Sequence, residues 1–229
     1  MFLNNYKKLR DFMDFSDPDK FYLIQIIQRR KDNPNLDRSE KVIKNYTIPT
    51  LEYLDMIFPE IQQVCDMFNA RAYMYINRRS FKGVAKAMMK RLADMVIDGQ
   101  PKGLSRLYQS CASSHSAGDG FWIIDVDFKQ KNRSEIIVEK ARENLIKAVS
   151  ACIKDVLKNI NPIGDKVALS LETRNGVHLV VSRFDTRDMQ KIIDSVGKLS
   201  EKFAHVIEVE LHKDNLVNLY IPEKLLENS

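Results

Sequence analysis

Two aspartates that follow an apolar run are the residues of this chain whose type and spacing best suit a catalytic or metal-binding role. The segment Gly120–Phe128 reads GFWIIDVDF and carries them as Asp125 and Asp127. In a β-strand these two side chains share one face, about 6.5–7 Å apart along the chain, and Val126 points to the other face. Neighbouring carboxylates beside a core repel each other unless a cation neutralises them. Mg²⁺ and Mn²⁺ prefer oxygen ligands, so the pair predicts a metal site; two solvated carboxylates are the alternative.

A histidine and two further acids are predicted on the same face of a sheet. His178 follows an Asn-Gly turn, and the alternating segment Ala204–His212 carries Glu208 and Glu210 opposite its apolar residues. Two aspartates, a histidine and a third acid on one sheet suit metal-assisted phosphoryl or nucleotidyl transfer. The alternative is a set of solvated polar residues, since charges also protect edge strands from aggregation.

The elements that would position these residues follow the order β-α-β-β-α-β. This order is typical of the split βαβ, or ferredoxin-like, unit. In it the first and third strands are central neighbours, and the fourth lies at one edge beside the second or the first. The predicted elements are strand Phe121–Phe128, helix Ser134–Ile160, strands Lys166–Thr173 and Val177–Phe184, helix Asp188–Phe203, and strands Ala204–His212 and Leu216–Ile221.

The N-terminal residues predict a β-α-β-α unit of their own. Residues 29–41 (RRKDNPNLDRSEK) are predicted as a polar loop, and Pro59 is expected to kink or restart the first helix. We expect an α/β (α+β) protein with a unit at 1–100, a connector at 101–119 and a ferredoxin-like unit at 120–229, packed as one domain. The predicted elements of the first unit are strand Phe21–Gln28, helix Thr50–Phe68, strand Ala70–Asn77 and helix Ser80–Gly99.

Composition is that of a globular protein. With 44% hydrophobic and 29% charged residues, the 229 residues can bury a core, and the net charge of +5 is compatible with a polyanionic partner. Apolar runs are shorter than the roughly 18–20 residues that span a bilayer, and the N-terminus lacks a signal-peptide pattern. We therefore expect a soluble cytoplasmic protein without a membrane partner.

Several common functional motifs are absent from the sequence. It contains no GxxxxGKS/T, GxGxxG, HExxH or CxxC pattern, which argues against Walker-type NTPases, Rossmann enzymes, zincins and zinc ribbons. The three cysteines, Cys65, Cys111 and Cys152, are widely spaced and are expected to be reduced thiols.

The order of the motifs resembles the archaeo-eukaryotic primase (primase-polymerase) superfamily. Its catalytic half is an RRM-like palm with hydrophobic-Asp-x-Asp on the first strand, small-x-His after a turn, and an acid on a later strand. The family also carries an α/β unit before the palm. The corresponding residues here are Ile123-Ile124-Asp125-Val126-Asp127, Gly176-Val177-His178, and Glu208 or Glu210, with Asp214 as a further candidate for the third acid.

The resemblance implies two-metal nucleotidyl transfer, in which a primer is made or a strand extended on a single-stranded nucleic-acid template. Asp125, Asp127 and Glu210 (or Glu208) would bind Mg²⁺ or Mn²⁺, and His178 would contact phosphates of the incoming nucleoside triphosphate. Such enzymes of bacterial, plasmid or phage type act in DNA replication, so a replicative helicase is a further expected partner. Whether the template is DNA or RNA stays open.

Basic residues in both halves are candidates for nucleotide binding. Arg174, in the turn beside His178, and Arg183, further along the same strand, are candidate triphosphate contacts if the resemblance holds. Arg78, Arg79 and Lys82 lie where a strand ends and a helix begins, and a helix N-terminus favours phosphate. Solvated charges at a strand end are the alternative for this second group.

Two other functions are compatible with the same pattern. The first is a non-catalytic RRM-like nucleic-acid-binding replication protein. RRM modules bind RNA through aromatic side chains on central strands, whereas this chain places Asp125, Asp127 and His178 there, which favours an enzyme. The second is a metabolic ferredoxin-like enzyme that binds no nucleic acid, because a fold alone does not assign a function.

Overall fold

A computed structural model describes residues 3–99, 101–129, 139–203 and 206–227. The strands are β1 Leu3–Asn4, β2 Lys20–Arg29, β3 Glu40–Ile48, β4 Arg71–Tyr75, β5 Arg79–Ser80, β6 Phe121–Lys129, β7 Val167–Glu172, β8 Gly176–Ser182, β9 Val206–His212 and β10 Leu216–Ile221. The helices are α1 Tyr6–Phe12, α2 Leu51–Phe68, α3 Phe81–Ile97, α4 Leu107–Ser114, α5 Glu139–Lys158, α6 Met189–Phe203 and α7 Lys224–Glu227, with 3₁₀-helices at Pro101–Arg106 and Thr186–Asp188. The α+β class is confirmed.

Contacts divide the chain into two compact units. The first unit combines Met1–Asp119 with Leu216–Ser229, and the second is Gly120–Asn215. The strands of the first unit form an antiparallel sheet in the order β1-β10-β4-β2-β3, with β5 also paired to β2. β2 is central because its apolar residues, such as Leu23 and Ile24, are buried on both faces.

The first sheet contains a strand that the sequence did not predict. β3 pairs along its length with β2, so the predicted polar loop 29–41 ends before Glu40. The first residues of β3, residues 40–42, are exposed, and the strand lies at the edge of the sheet. Since β2 also pairs antiparallel with β4, the first unit is antiparallel rather than a simple β-α-β-α repeat.

The last strand belongs to the first unit. The predicted unit 120–229 includes Leu216–Ile221, yet β10 pairs with β4 and β1, and Val217, Leu219 and Ile221 are fully buried there. The predicted connector 101–119 likewise contains α4, whose Leu107 and Cys111 join the core of the first unit.

Local sequence explains how the predicted helices begin and end. Thr50 caps α2, since its hydroxyl accepts a hydrogen bond from Tyr53 N–H, and the left-handed Asn69 ends the helix. Of the kink or restart expected at Pro59, the restart does not occur, because α2 continues through this residue. Among the described residues, no helix combines the length and the apolarity needed to cross a membrane.

All three cysteines are free thiols, and burial raises the pKa of Cys65 to about 12.

The second unit follows the order β6-α5-β7-β8-α6-β9, and its antiparallel sheet has the order β7-β8-β6-β9. Ile124 and Val126 of β6 pack in one core with residues of α5 and α6, such as Val149 and Val196. Because side chains alternate along a strand, Asp125 lies on the sheet face opposite these helices. Residues 130–138 and 204–205, the predicted starts of α5 and β9, lie outside the described residues.

Candidate functional site

Strand pairing brings an acid and a histidine to the two sides of Asp125. β6 lies between β8 and β9 in the sheet. Asp125 is directly opposite His178 of β8 and Glu210 of β9. Opposite residues of antiparallel strands share a face, with Cβ atoms about 4.5–5.5 Å apart. The pairing therefore collects these three side chains on the face away from α5 and α6.

Two imidazoles approach the Asp125 carboxylate. His178 Nε2 is 3.2 Å from Asp125 Oδ1, and the His178 side chain is only 12% exposed. His212 Nε2 is 3.9 Å from Asp125 Oδ2 and 3.6 Å from Glu210 Oε2. Among the described residues His178 Nδ1, which is buried, has no hydrogen-bond partner. The alternation of this strand in the sequence predicts His212 on the face of Glu208 and Glu210, although the sequence assigned it no part in the site.

The second acid of β9 has a cation beside it. Glu208 is opposite Asp127, and its Oε1 is 2.6 Å from Lys129 Nζ. A hydrogen bond to Glu208 raises the pKa of Lys129, and the charges of Asp127 and Glu210 act in the same direction. Glu208 is thus neutralised by a lysine that sequence reasoning did not single out. Glu210 has its closest described ion pair with His212 instead.

Gly176 explains why a small residue stands two positions before His178. It is opposite Asp127 in the β6–β8 pair. A Cβ at Gly176 would lie 1.8 Å from the carbonyl oxygen of Val126, far inside any contact distance. Any larger residue would push β8 away from β6 where the acids and His178 meet. The hairpin turn itself is fixed by Arg142 of α5, which donates to the Thr173 carbonyl at 2.7 Å.

The acidic face suits a hard divalent cation in its donor chemistry. Among the described residues, no group of three His, Cys, Asp or Glu side chains is already arranged to hold a metal ion. The carboxylates of Asp125, Asp127 and Glu210 nevertheless lie at adjacent same-face positions of paired strands. Carboxylate oxygens are the ligands that Mg²⁺ and Mn²⁺ prefer. Glu210 is 71% exposed, so its side chain is free to reorient toward the aspartates.

The two predicted arginines of the second unit lie at different ends of β8. Arg174 lies in the turn before Gly176, half-buried, and its carbonyl accepts a hydrogen bond from Arg142 Nη2 at 3.0 Å. Arg183 follows β8 and is exposed, with its side chain against Gly120. Arg174 therefore lies at the end of the sheet near Asp127, and Arg183 lies at the opposite end.

The predicted phosphate site at the start of α3 is occupied by a carboxylate of the chain itself. Ser80 Oγ donates to Asp19 Oδ2 at 2.6 Å, and Lys82 N–H donates to Asp19 Oδ1 at 3.0 Å. These are the helix N-terminal groups that a phosphate would need. The side chain of Lys82 is exposed.

Arg78 and Arg79 are held by protein groups as well. Arg79 is fully buried; it donates to the Ser113 carbonyl at 3.3 Å, and its guanidinium lies 4.2 Å from the ring centroid of Tyr75. Arg78 binds Asp119 through Nε and Nη2, at 3.0 and 2.9 Å, and also binds Asp14. This geometry gives both arginines a structural part in the first unit.

No protein-family model, curated protein or solved structure matches the chain. The resemblance to the primase-polymerase superfamily therefore stays a prediction, carried by the residues of the chain itself.

Proposed function

We propose that this chain is a metal-dependent nucleotidyltransferase of primase-polymerase type. It would make a primer or extend a strand on a single-stranded nucleic-acid template. The observation that carries the proposal is the register of β6, which places Asp125 between His178 and Glu210 and places Asp127 at the next position on the same face. A cluster of acids with a histidine on one sheet suits metal-assisted transfer of a nucleotidyl group.

The arrangement of elements supports a palm of the RRM-like kind. The order β6-α5-β7-β8-α6-β9 is that of a ferredoxin-like unit, with both helices packed on one face of the sheet. The sequence left open whether the fourth strand of this unit lies beside its first or its second strand. The fourth strand, β9, lies beside the first, β6. The third acid is thereby next to the aspartates.

Each residue of the face has a defined part in the proposed reaction. Asp125, Asp127 and Glu210 would hold Mg²⁺ or Mn²⁺ through carboxylate oxygens. The bound ion would activate the primer 3′-hydroxyl and neutralise charge on the leaving pyrophosphate. His178, whose Nε2 lies 3.2 Å from Asp125 Oδ1, would contact a phosphate oxygen of the incoming nucleotide. Arg174, in the adjacent turn, is the nearer of the two candidate triphosphate contacts.

Incorporation of labelled nucleotides on a single-stranded template, with Mg²⁺ or Mn²⁺, tests the proposal. The variant Asp125→Asn/Asp127→Asn should lose activity by about 100-fold or more, because it removes two metal ligands. The matched control is Asp155→Asn/Asp194→Asn, which makes the same change on α5 and α6. This control should keep its activity, and calorimetry should show that only the first variant loses Mn²⁺ binding.

Two results would contradict the proposal. One is equal activity of the two double variants. The other is a folded wild-type protein that neither incorporates nucleotides nor binds Mn²⁺. If such a protein still bound single-stranded nucleic acid, the non-catalytic replication protein would be the better description. If it incorporates nucleotides, comparing DNA with RNA templates, and adding a replicative helicase, would define the remaining partners.

A further inference from the structure

A polar cavity of ≈ 420 Å³ lies within the first unit, between β3 and α4. Its volume falls in the range of about 300–1,000 Å³ that is usual for small-molecule sites. It involves none of the residues of the acidic face on β6, β8 and β9. The side chains around it come from β2, β3, the loop before β3, and the segment that ends in α4.

One face of α4 supplies a wall of the cavity. Leu107 and Cys111 on the other face are buried in the core with Phe21 and Leu23, which fixes the rotation of the helix. The residues that line the cavity have the spacing i, i+3, i+4, i+7 of a single helix face. They are Gln109, Ser110 and Ser113 of α4, together with Arg106, which immediately precedes this helix.

An irregularity in β3 shapes the opposite wall. The register of the β2–β3 pair shifts between Ile26 and Ile27, so that Asn45 and Val42 both pair with β2 residues of one face. A regular strand would place these two side chains on opposite faces, because their separation is odd. The shift therefore brings both to the cavity.

Positive charge dominates the rim. Arg38 reaches the cavity from the loop before β3 and Arg106 from the end of the 3₁₀-helix before α4, and Glu40 is the acid among the lining residues. Arg38 also forms an exposed ion pair with Asp37, at 3.3 Å. Glu40 forms an ion pair with Arg29, at 3.6 Å, which offsets its charge. Arg91 adds another guanidinium, since its Nη1 donates to Ser110 Oγ at 2.6 Å. A concave surface with this charge attracts an anion.

The floor is polar although it lies in the most apolar strand. Gln25 interrupts the apolar run of β2 and is only 7% exposed. Its Nε2 donates to Asn45 Oδ1 at 2.8 Å and to Ser113 Oγ at 3.3 Å. Burying an amide costs free energy that an apolar residue would not. A floor of amides and hydroxyls offers donors and acceptors to the uncharged part of a ligand.

We infer that this cavity binds a nucleoside phosphate, either a free nucleotide or the phosphorylated 5′ end of a nucleic-acid strand. The cations at the rim would bind the phosphate, where charge-assisted hydrogen bonds are strongest. The amides of Gln25, Asn45 and Gln109 would contact the base or the ribose. The inference goes beyond the proposed function, because it requires neither a metal ion nor catalysis at Asp125.

Binding to the full chain in the presence of EDTA tests the inference. The probes are ATP, followed by calorimetry, and a short 3′-labelled oligonucleotide with a 5′-phosphate or a 5′-hydroxyl, followed by fluorescence anisotropy. The variant Arg38→Ala/Arg106→Ala should weaken binding by about tenfold or more, because it removes two charged contacts. The variant Ser110→Trp should weaken it as well, because it fills the cavity without changing the charge.

Controls separate a built site from a general attraction of polyanions. Lys147→Ala/Arg187→Ala removes the same two charges from exposed positions of the second unit and should leave binding unchanged. Arg38→Lys/Arg106→Lys should retain most of the binding. Thermal melting by circular dichroism should show that each variant is folded.

The probes identify the source of the phosphate. Binding of ATP supports a free nucleotide, and a preference for the 5′-phosphorylated oligonucleotide over the 5′-hydroxyl one supports a strand end. The inference is overturned if neither probe binds, if both Ala double variants lose affinity equally, or if the 5′ phosphate makes no difference and ATP does not bind. It is also overturned if Asp125→Asn/Asp127→Asn abolishes ATP binding in EDTA, since the nucleotide would then lie at the acidic face.

Discussion

At the scale of single residues, the two acids of β9 have different neighbours, although both are candidates for the third acid in the sequence. Glu208 forms an ion pair with Lys129 at 2.6 Å, whereas Glu210 lies beside His212 and opposite Asp125. A carboxylate already paired with a lysine is a poorer ligand for a cation, because the ion must compete with the ammonium group. Among the candidates for the third acid, this comparison favours Glu210.

We expect Glu210→Gln to reduce nucleotide incorporation at least about tenfold more than Glu208→Gln, because only the first change removes a proposed metal ligand. Calorimetric titration with Mn²⁺ should show the same difference in affinity. Both variants should unfold within about 1 kcal/mol of the wild type, since exposed ion pairs contribute little to stability. Equal losses, or a larger loss for Glu208→Gln, would contradict the assignment.

At the scale of elements, the close approach of β8 to β6 holds the candidate site together. Gly176 permits that approach, and His178 follows it on the same face. The turn before it is held by hydrogen bonds from Arg142 to the carbonyls of Thr173 and Arg174. The position of His178 against Asp125 therefore depends on a hairpin that α5 supports from the other face.

We expect Gly176→Ala to lower the free energy of unfolding by about 1–3 kcal/mol or more, because the new methyl group meets a backbone carbonyl that cannot move alone. Gly197→Ala is the matched control. Gly197 lies in α6 with no atom within 4 Å of an added Cβ, so alanine there should be neutral or stabilise by up to about 1 kcal/mol. Urea denaturation measures both, and equal stability of the two variants would refute the close-approach argument.

At the scale of the whole molecule, a network of charges joins distant parts of the first unit. Asp119, at the end of that unit, binds Arg78 and Lys20, and Arg78 also binds Asp14. Burial raises the pKa of Asp119, but hydrogen bonds from the side chain and the backbone of Arg78 outweigh it, so the pKa is lowered overall. The network thus links segments that are far apart in sequence.

A lowered pKa predicts how this network responds to acid. Asp119 contributes stability above its unfolded pKa of about 3.9, and the contribution is lost as the pH falls through the lower folded value. We expect Asp119→Asn to be less stable than the wild type at pH 7, and the difference to shrink as the pH falls below about 4. Urea denaturation over this pH range measures it, with Asp155→Asn as a control for the loss of an exposed charge. A difference independent of pH would contradict the prediction.

Much of the element pattern could be predicted because its signals are local. β10 has the predicted bounds Leu216–Ile221, and α2 spans Leu51–Phe68 where Thr50–Phe68 was predicted. β3 was missed because an edge strand with exposed lysines resembles a loop. The polar cavity was missed for a different reason, since its two walls come from segments that are far apart in the sequence.

The sequence by itself determined the α+β class, most helices and strands, and the alternation that places Asp125 and Asp127 on one face. These features follow from the period of apolar residues and from turn residues, which act over short stretches of chain. Only the tertiary structure decided that β10 joins the first sheet, that Glu210 rather than Glu208 is opposite Asp125, and that Arg79 is buried. Strand pairing and the burial of charge depend on partners that are distant along the chain, and no local pattern specifies them.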